Sequence, residues 1–354
     1  MGNKIVVGIT QGDSNGISYE VIVKALTDSR VIEICTPVIY GSSKLFGFYK
    51  KQVHETEGMV TNVIANPSEI HHKRINIINC VPDTVVAEPG KSTPESAKGA
   101  YQSLEKAVEH LRSGEIDVLV TAPFNKASMN RDGFHFSGHT EYLAKEFNSP
   151  DSLMFMVSSD LKVGLVTNHL PLKDVPGKIT KELIEKKCRI MIDSLKKDFG
   201  IEHPKVAVLS LNPHCGEEGL MGHEEEDIIK PAIKELKEAD ELVFGPYSPD
   251  GFFSSPVYKK FDAILAMYHD QGLIPFKSLS FEEGVNYTAG LPVVRTSPDH
   301  GTAFDIAGKN KASHSSMLSA IFMAVDIFRK RKEYDLLRIN PLRVEIPTSR
   351  NNND

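Results

Sequence analysis

Short apolar runs that alternate with amphipathic segments constrain this fold more than any other feature. The runs KIVVGIT, TPVIYG, EIDVLVTAP, KVAVLSLNP and FDAILAMY are apolar at their centres, and helical patterns such as SYEVIVKAL, SSKLFGFYKKQ and NKASMN follow several of them. Continuous apolar strands that alternate with helices are typical of a mostly parallel sheet covered on both faces. The sequence therefore predicts an α/β protein.

The segment from Glu95 to Leu111 has clear helical periodicity, because its apolar residues recur on one face. Ser92 and Glu95 have the spacing of a capping box, and Pro94 suits a first helical turn. We therefore predict a helix here, capped by Ser92.

Composition and charge favour a small-molecule partner. The chain has 354 residues and a formal net charge of -6, which is unsuited to neutralising nucleic-acid phosphates or anionic lipid. No apolar stretch approaches the ~18 residues of a membrane span or forms a signal peptide. The 4 cysteines lack the CxxC spacing of a zinc ribbon and do not indicate a disulfide framework. We expect a cytoplasmic protein that binds neither nucleic acid nor membrane.

Three histidines end or follow predicted strands: His169 in TNHLPL, His214 in LNPHCGEEG and His269 in MYHDQGLIPFK. Loops at the carboxyl ends of parallel strands collect ligand-binding residues. Three imidazoles without thiolates suit a catalytic divalent metal with an open position, zinc being the natural candidate. The competing interpretation is that each is a partly buried histidine bonded to neighbouring backbone. His139 and His300 are further candidates.

Four polar residues could bind an anion: Lys126, Lys277, Asn286 and Arg295. Charge-assisted hydrogen bonds to a phosphate contribute roughly 1.5–3 kcal/mol each when partly desolvated. Most lysines and arginines only solvate a surface, and this alternative stays open for Lys126. Arg295 lies within the apolar run LPVVRTS, which favours an internal role.

The glycines near the amino terminus do not form a Rossmann fingerprint. Gly8, Gly12 and Gly16 read G-x-x-x-G-x-x-x-G, whereas a dinucleotide-binding turn reads GxGxxG. Any nicotinamide cofactor must bind by another route, and its contact residues are unassigned.

The motifs SGHTEYL, TNHLPL, LNPHCGEEG, GPYSPDGFF, YHDQGLIPFK and TSPDHGTAFDIAG occur in this order along most of the chain. Together they resemble the PdxA family, the 4-hydroxythreonine-4-phosphate dehydrogenases of vitamin B6 biosynthesis. The resemblance implies a two-domain isocitrate/isopropylmalate dehydrogenase-like fold with NAD, or alternatively NADP, bound without a Rossmann fingerprint. We expect one α/β domain from residues 1–133 plus 296–354, a second from 134–295, and the active site in the cleft between them.

The resemblance also implies roles for individual residues. The metal ligands would be His169, His214 and His269 of a homodimer whose active site lies at the subunit interface, with His269 contributed by the opposite subunit. Zinc is the expected metal, with magnesium and cobalt as alternatives. The substrate contacts would be His139, Thr140, Lys277, Asn286 and Arg295. The opening GDSNGISYE and the run TAPFNK depart from the GDPAGIGPE and TGP patterns of the family, which leaves the choice of substrate open.

The implied reaction oxidises 4-phosphooxy-L-threonine at C3 with NAD, and the resulting β-keto acid loses carbon dioxide to give 3-amino-2-oxopropyl phosphate. We place Asp270, Asp250 and Lys277 in the catalytic group. Either aspartate could orient a ligand imidazole or relay the hydroxyl proton, and Lys277 would bind an anion. The alternatives are a dehydrogenase of threonate or erythronate 4-phosphate, a metal-dependent phosphatase, and a non-catalytic metabolite-binding protein.

Overall fold

The computed structural model describes residues 4–54, 56–125, 138–149, 151–280 and 282–340. Within these residues 12 strands form one sheet, in the order β3-β4-β2-β1-β5-β12-β11-β6-β7-β10-β8-β9. The strands are β1 Ile5–Thr10, β2 Cys35–Gly41, β3 Thr61–Ile64, β4 Ile75–Asn79, β5 Val118–Thr121, β6 Leu153–Val157, β7 Lys162–Leu165, β8 Val206–Leu209, β9 Val243–Tyr247, β10 Ala263–Ala266, β11 Val285–Ala289 and β12 Val294–Pro298.

The helices pack on the two faces of this sheet. They are α1 Ser18–Ala25, α2 Ser29–Ile34, α3 Ser43–Lys50, α4 Pro94–Arg112, α5 His139–Glu146, α6 Lys181–Lys197, α7 Lys230–Glu238, α8 Pro249–Phe253, α9 His269–Leu279 and α10 Ser315–Arg338. A π-helical turn, Glu225–Ile229, leads directly into α7. The predicted α/β class with a mostly parallel sheet is confirmed.

Antiparallel pairing enters the sheet only around β6 and β11 among the described strands. The connections from β6 to β7 and from β11 to β12 each span only a few residues. A parallel pair needs a crossover of about a dozen residues or more, so these neighbours must run antiparallel. Apolar periodicity alone does not reveal this reversal.

The predicted apolar runs became strands buried on both faces, and β1, β2, β5, β8 and β10 all correspond to runs read from the sequence. The predicted helix is α4. Its cap is Thr93, whose hydroxyl accepts from the Ser96 amide at 3.2 Å, so the predicted Ser92 cap was wrong by one residue. The helical pattern NKASMN lies almost entirely outside the described residues.

The division into two domains stays a prediction. The expected boundary at 295/296 falls inside β12, and the boundary at 133/134 lies outside the described residues. None of the described helices is long and apolar enough to cross a membrane.

Strand order decides where the chemistry-bearing loops lie. Strand β10 pairs in parallel with β7 on one side and with β8 on the other. The loops that follow β7, β10 and β8 therefore leave the same edge of the sheet, and they carry His169, His269 and His214 respectively. This arrangement places His269 between the other two loops.

Candidate active site

The structure brings two of the three strand-end histidines together. The ring centroids of His169 and His269 lie 5.8 Å apart with the rings tilted by 41°. His214 lines a separate cavity of about 510 Å³, together with Asp250 and Asp270. Within the described part of the chain, no three His, Cys, Asp or Glu side chains form a group able to hold a metal ion. A single chain thus offers an imidazole pair, and the three-histidine site stays a prediction.

His269 is the first residue of α9, and Tyr268 precedes it in extended conformation. Its Nδ1 is hydrogen-bonded to Oδ1 of Asp270 at 2.7 Å, which leaves Nε2 as the ring nitrogen able to bind a ligand. Asp270 therefore fits the role of orienting an imidazole, one of the two roles that the sequence left open for it.

Gln271 ties the His269 helix to the strand that leads to His214. Its Oε1 accepts from the amide of Met267 at 2.7 Å, and its Nε2 donates to the carbonyl of Ser210 at 2.6 Å. The side chain is buried and joins the ends of β10 and β8. Sequence reasoning missed this role, although Gln271 lies within the quoted YHDQGL motif.

The loop carrying His214 is strained. His214, Cys215, Gly216, Glu217 and Glu218 have φ values of 52°, 54°, 76°, 44° and 54°, a left-handed turn built mostly from residues that have a Cβ atom. The left-handed conformation costs roughly 1–2 kcal/mol for each such residue. Strain of this kind persists only where surrounding contacts hold it, and it clusters at functional sites.

A second cavity, of about 190 Å³, gathers most of the predicted substrate contacts. Its lining includes His139, Thr140, Asn286 and Arg295, together with His169. The carboxyl ends of β5 and β12, the start of α5 and the loop after β7 meet here. Four of the five expected substrate contacts therefore converge, and one of the expected metal ligands borders the same space.

Arg295 is the most unusual residue of this cavity. Its side chain is 3% exposed, and the described partners of its guanidinium are hydroxyl groups. Nε and Nη2 donate to Oγ1 of Thr121 at 2.9 and 2.6 Å, and Nη1 donates to Oγ1 of Thr288 at 3.2 Å. Burial lowers the pKa of Arg295 to about 9, against the influence of Glu141. A buried cation with neutral partners is costly unless an anion joins it.

Three polar atoms on the wall of this cavity are buried and have no hydrogen-bond partner in the described structure. They are Oδ1 of Asn168, Oδ1 of Asn286 and Nε2 of His300. Buried polar groups are normally satisfied, so a cluster of three beside Arg295 indicates a place for a polar ligand. Burial lowers the pKa of His300. Sequence reasoning named Asn286 and listed His300 as a further candidate, but it missed Asn168.

Comparison with known proteins identifies the family of this chain. A family model of the pyridoxal phosphate biosynthetic protein PdxA matches residues 33–324. The chain belongs to the PdxA family. A protein of Bacteroides thetaiotaomicron named 4-hydroxythreonine-4-phosphate dehydrogenase is 50% identical over 353 residues, which cover 99% of this chain and 96% of the relative. A relative of the same name from Aquifex aeolicus is 43% identical over 92% of this chain and 98% of its own length.

A solved PdxA-family structure supports the fold. The crystal structure named 4-hydroxythreonine-4-phosphate dehydrogenase from Klebsiella pneumoniae superposes with a TM-score of 0.79 at 33% identity, covering 92% of this chain and all (100%) of the other. The resemblance seen in the motifs is therefore confirmed at the level of the family.

Lys277 is the one expected substrate contact that the described structure of this PdxA chain places elsewhere. Its Nζ forms an ion pair with Oδ1 of Asp299 at 3.0 Å and donates to the carbonyl of the same residue at 3.0 Å. Burial raises the pKa of Asp299, and Lys277 opposes that shift. Because Asp299 directly precedes His300, the ammonium lies near the cavity but is held by a carboxylate. Lys126 lies outside the described residues.

The β1–α1 turn of this PdxA chain does not fit a dinucleotide in the Rossmann manner. A Cβ atom on Gly12, whose φ is +61°, would lie 2.4 Å from the carbonyl oxygen of Pro123, and one on Gly16 would lie 2.6 Å from that of Thr302. The turn is buried against its own chain, so these glycines serve internal packing. This agrees with the absence of GxGxxG from the sequence.

Proposed function

We propose that this chain is a dehydrogenase that oxidises 4-hydroxythreonine 4-phosphate at its C3 hydroxyl with NAD, after which the product loses carbon dioxide. The names of its relatives support the reaction, since one of them is 50% identical over 99% of the chain. The proposal for the substrate rests on the surroundings of Arg295. In the described structure its buried guanidinium is hydrogen-bonded to neutral groups, and the cavity beside it is lined by unsatisfied polar atoms.

The size of the cavity supports a small substrate. Its volume of about 190 Å³ is below the ~300–1,000 Å³ of pockets that hold drug-sized ligands. A phosphorylated four-carbon acid suits this space, whereas a dinucleotide needs room beyond it. Bound NAD would supply the hydride acceptor for C3.

We assign the residues of the cavity as follows. Arg295 binds the phosphate or the carboxylate of the substrate, and His139 and Thr140 contact the same ligand from the start of α5. Oδ1 of Asn168 and Oδ1 of Asn286 accept hydrogen bonds from the substrate. Lys277 joins as a second anion anchor, which requires it to exchange Asp299 for the ligand.

The acid-base roles follow from the hydrogen bonds. Asp270 orients His269 rather than accepting a proton, because its Oδ1 already bonds the imidazole. The hydrogen bonds from Ser248 and from the Gly251 backbone lower the pKa of Asp250, which makes it a weaker base. His300 is the better candidate to receive the C3 hydroxyl proton, since it lines the cavity, its buried Nε2 has no hydrogen-bond partner in the described structure, and burial lowers its pKa and so favours its neutral form.

We further propose a divalent metal held by His169, His214 and His269, with zinc as the first choice and magnesium or cobalt as alternatives. All three histidines follow parallel strands that are neighbours in the sheet, and three imidazoles are a donor set that suits zinc. The metal would polarise the C3 hydroxyl and lower its pKa.

A homodimer would complete this donor set. Large apolar side chains are exposed around the three histidine loops: Leu170, Leu172, Leu220, Met221, Ile274 and Leu279. Apolar clusters of this kind on a surface mark protein contacts. We propose that a second copy of the chain covers them and brings its own His269 to each site, beside His169 and His214 of the first copy.

The test is an absorbance assay for NADH with 4-hydroxythreonine 4-phosphate, threonate 4-phosphate and erythronate 4-phosphate, each with and without a chelator. NADH formed from the first compound and lost on chelation supports the proposal, and a preference for a hydroxy acid would reassign the substrate. Release of inorganic phosphate without NADH would identify the phosphatase alternative instead. Binding of substrate and cofactor without turnover would indicate a binding protein.

A further inference from the structure

We propose that Glu225 is a positioning residue that holds the His214 loop in its ligand-binding conformation. This inference rests on the proposed metal site. Glu225 lies outside the motifs that indicated the family, and it lines neither the cavity at His214 nor the cavity at Arg295. Its role is to fix the backbone from which His214 projects.

The carboxylate of Glu225 is fully buried and accepts hydrogen bonds from the strand end that leads into the loop. Its Oε1 accepts from the backbone amides of Leu211 and Asn212 at 2.8 and 2.7 Å, and its Oε2 accepts from Nδ2 of Asn212 at 2.9 Å. Asn212 lies two residues before His214. Three donors from two adjacent residues thus converge on one side chain.

The same carboxylate supports the inner side of the left-handed turn. An added Cβ atom on Gly216 would lie 2.7 Å from Oε2 of Glu225 and 2.9 Å from the carbonyl oxygen of Gly222. Glu225 therefore packs against the backbone of Gly216 so closely that a residue with a Cβ atom would not fit there. The middle residue of the left-handed turn from His214 to Glu218 thus lies against this buried group.

The need for hydrogen-bond acceptors explains why a carboxyl side chain is buried here. In the described structure no lysine or arginine forms an ion pair with Glu225, so its surroundings supply amide donors rather than an opposite charge. A carboxylate is an acceptor at both oxygens. A glutamine that keeps its oxygen on the two backbone amides would turn its NH₂ group toward Nδ2 of Asn212, which is also a donor. Glu225→Gln keeps the size of the side chain but removes one of the acceptors that fix the turn.

The experiment is a calorimetric titration of the full-length protein with Zn²⁺. We expect Glu225→Gln to weaken Zn²⁺ binding by about 10–100-fold, the range found when residues that orient metal ligands are lost. Glu225→Asp keeps the charge at a shorter reach and should give a smaller loss. The matched control is Glu226→Gln, at an exposed neighbour that pairs with Lys230, and it should bind Zn²⁺ like the unmodified protein.

A second background separates positioning from general destabilisation. If Glu225 acts through His214, then Glu225→Gln should cause no further loss of Zn²⁺ affinity in a His214→Ala protein. The inference is overturned if Glu225→Gln and Glu225→Asp both retain full affinity, or if Glu225→Gln causes the same loss in both backgrounds. Should Glu225→Gln not fold, Glu225→Asp is compared in the same two backgrounds.

The outcome for His214→Ala alone distinguishes this inference from the proposed function. Undiminished Zn²⁺ affinity in that variant would refute the metal assignment, and the positioning role would fall with it. A loss in His214→Ala that Glu225→Gln does not share would refute the positioning role only.

Discussion

Thr121 holds the guanidinium of Arg295 through a single hydroxyl oxygen, which accepts from Nε at 2.9 Å and from Nη2 at 2.6 Å. Both residues are buried, and they lie on the neighbouring parallel strands β5 and β12. The strand pairing therefore fixes this guanidinium at the wall of the cavity. Binding of an anion then needs little rearrangement, which is the advantage of a fixed site.

Arg295→Ala should weaken substrate binding far more than NAD binding. A lost charge-assisted contact to an anion costs about 1.5–3 kcal/mol, which corresponds to a roughly 10-fold to 150-fold rise in the substrate dissociation constant. Calorimetric titration with each ligand measures both constants, and Arg329→Ala, at an exposed arginine, is the control. Equal losses for substrate and NAD would show that Arg295 has been assigned to the wrong ligand.

The internal role of Arg295 could be predicted from the sequence, because a charged residue inside an apolar strand is rare and is costly to bury without a binding partner. The strands could also be predicted, since buried parallel strands are continuous apolar runs in the sequence. The separation of His214 from the pair His169 and His269 could not be predicted, because it depends on how loops fold after strands distant along the chain. The left-handed turn at His214 was equally hidden, as four of its five residues have side chains that disfavour it.

His214→Ala should remove tightly bound metal and turnover while leaving the fold intact. The loss of one of three neutral ligands opens the coordination shell, and His214 lines an open cavity rather than the core. Elemental analysis of the purified protein measures the metal, and His203→Ala, at an exposed histidine, serves as the control. Near-normal metal content in His214→Ala would contradict the assignment.

Arg331→Met should destabilise the protein by about 3–5 kcal/mol, because it leaves the buried carboxylate of Asp198 without its ion-pair partner. Nε of Arg331 donates to Oδ1 of Asp198 at 2.6 Å, and the hydroxyl of Tyr287 donates to Oδ2 at 2.5 Å. This network joins α10, the end of α6 and β11. Urea unfolding measures the change, with Arg329→Met as the surface control. A loss below about 1 kcal/mol, as for an exposed pair, would refute the estimate.

His110 should make the protein less stable as the pH falls. Burial lowers the pKa of this histidine, which packs beside Tyr40 with 2.9 Å between Nδ1 and the hydroxyl. Below the unfolded pKa of about 6.5 the unfolded chain takes up a proton that the folded one resists, so unfolding becomes easier. The free energy of unfolding is therefore not reduced by His110 above about pH 6.5. Below that pH it falls by up to about 1.4 kcal/mol per pH unit.

Urea unfolding between about pH 5 and 8 measures this dependence. His110→Gln should show a shallower loss of stability toward acid than the unmodified protein, and His203→Gln, at the surface, should not differ from it. An unchanged slope in His110→Gln would show that the uptake of protons on unfolding occurs elsewhere, for instance at His300, whose pKa burial also lowers.

The last prediction concerns which chains supply the metal ligands. If His269 comes from the opposite subunit, chains with His169→Ala and chains with His269→Ala should each be inactive alone. In a mixed dimer one site collects both lesions and the other collects none. Random pairing makes about half of the dimers mixed, and each has one intact site of two, so roughly a quarter of the unmodified activity should return under two-fold symmetry.

The structure gives this experiment a definite alternative, because the rings of His169 and His269 lie 5.8 Å apart within one chain. If this pair binds the metal together, each site of a mixed dimer contains one lesion and activity does not return. Co-expression of His169→Ala with His214→Ala is the control, since the proposal takes both residues from the same chain and predicts no recovery. Mixed dimers proven by mass spectrometry but lacking activity in the first pairing would therefore assign His169 and His269 to the same site of a single chain.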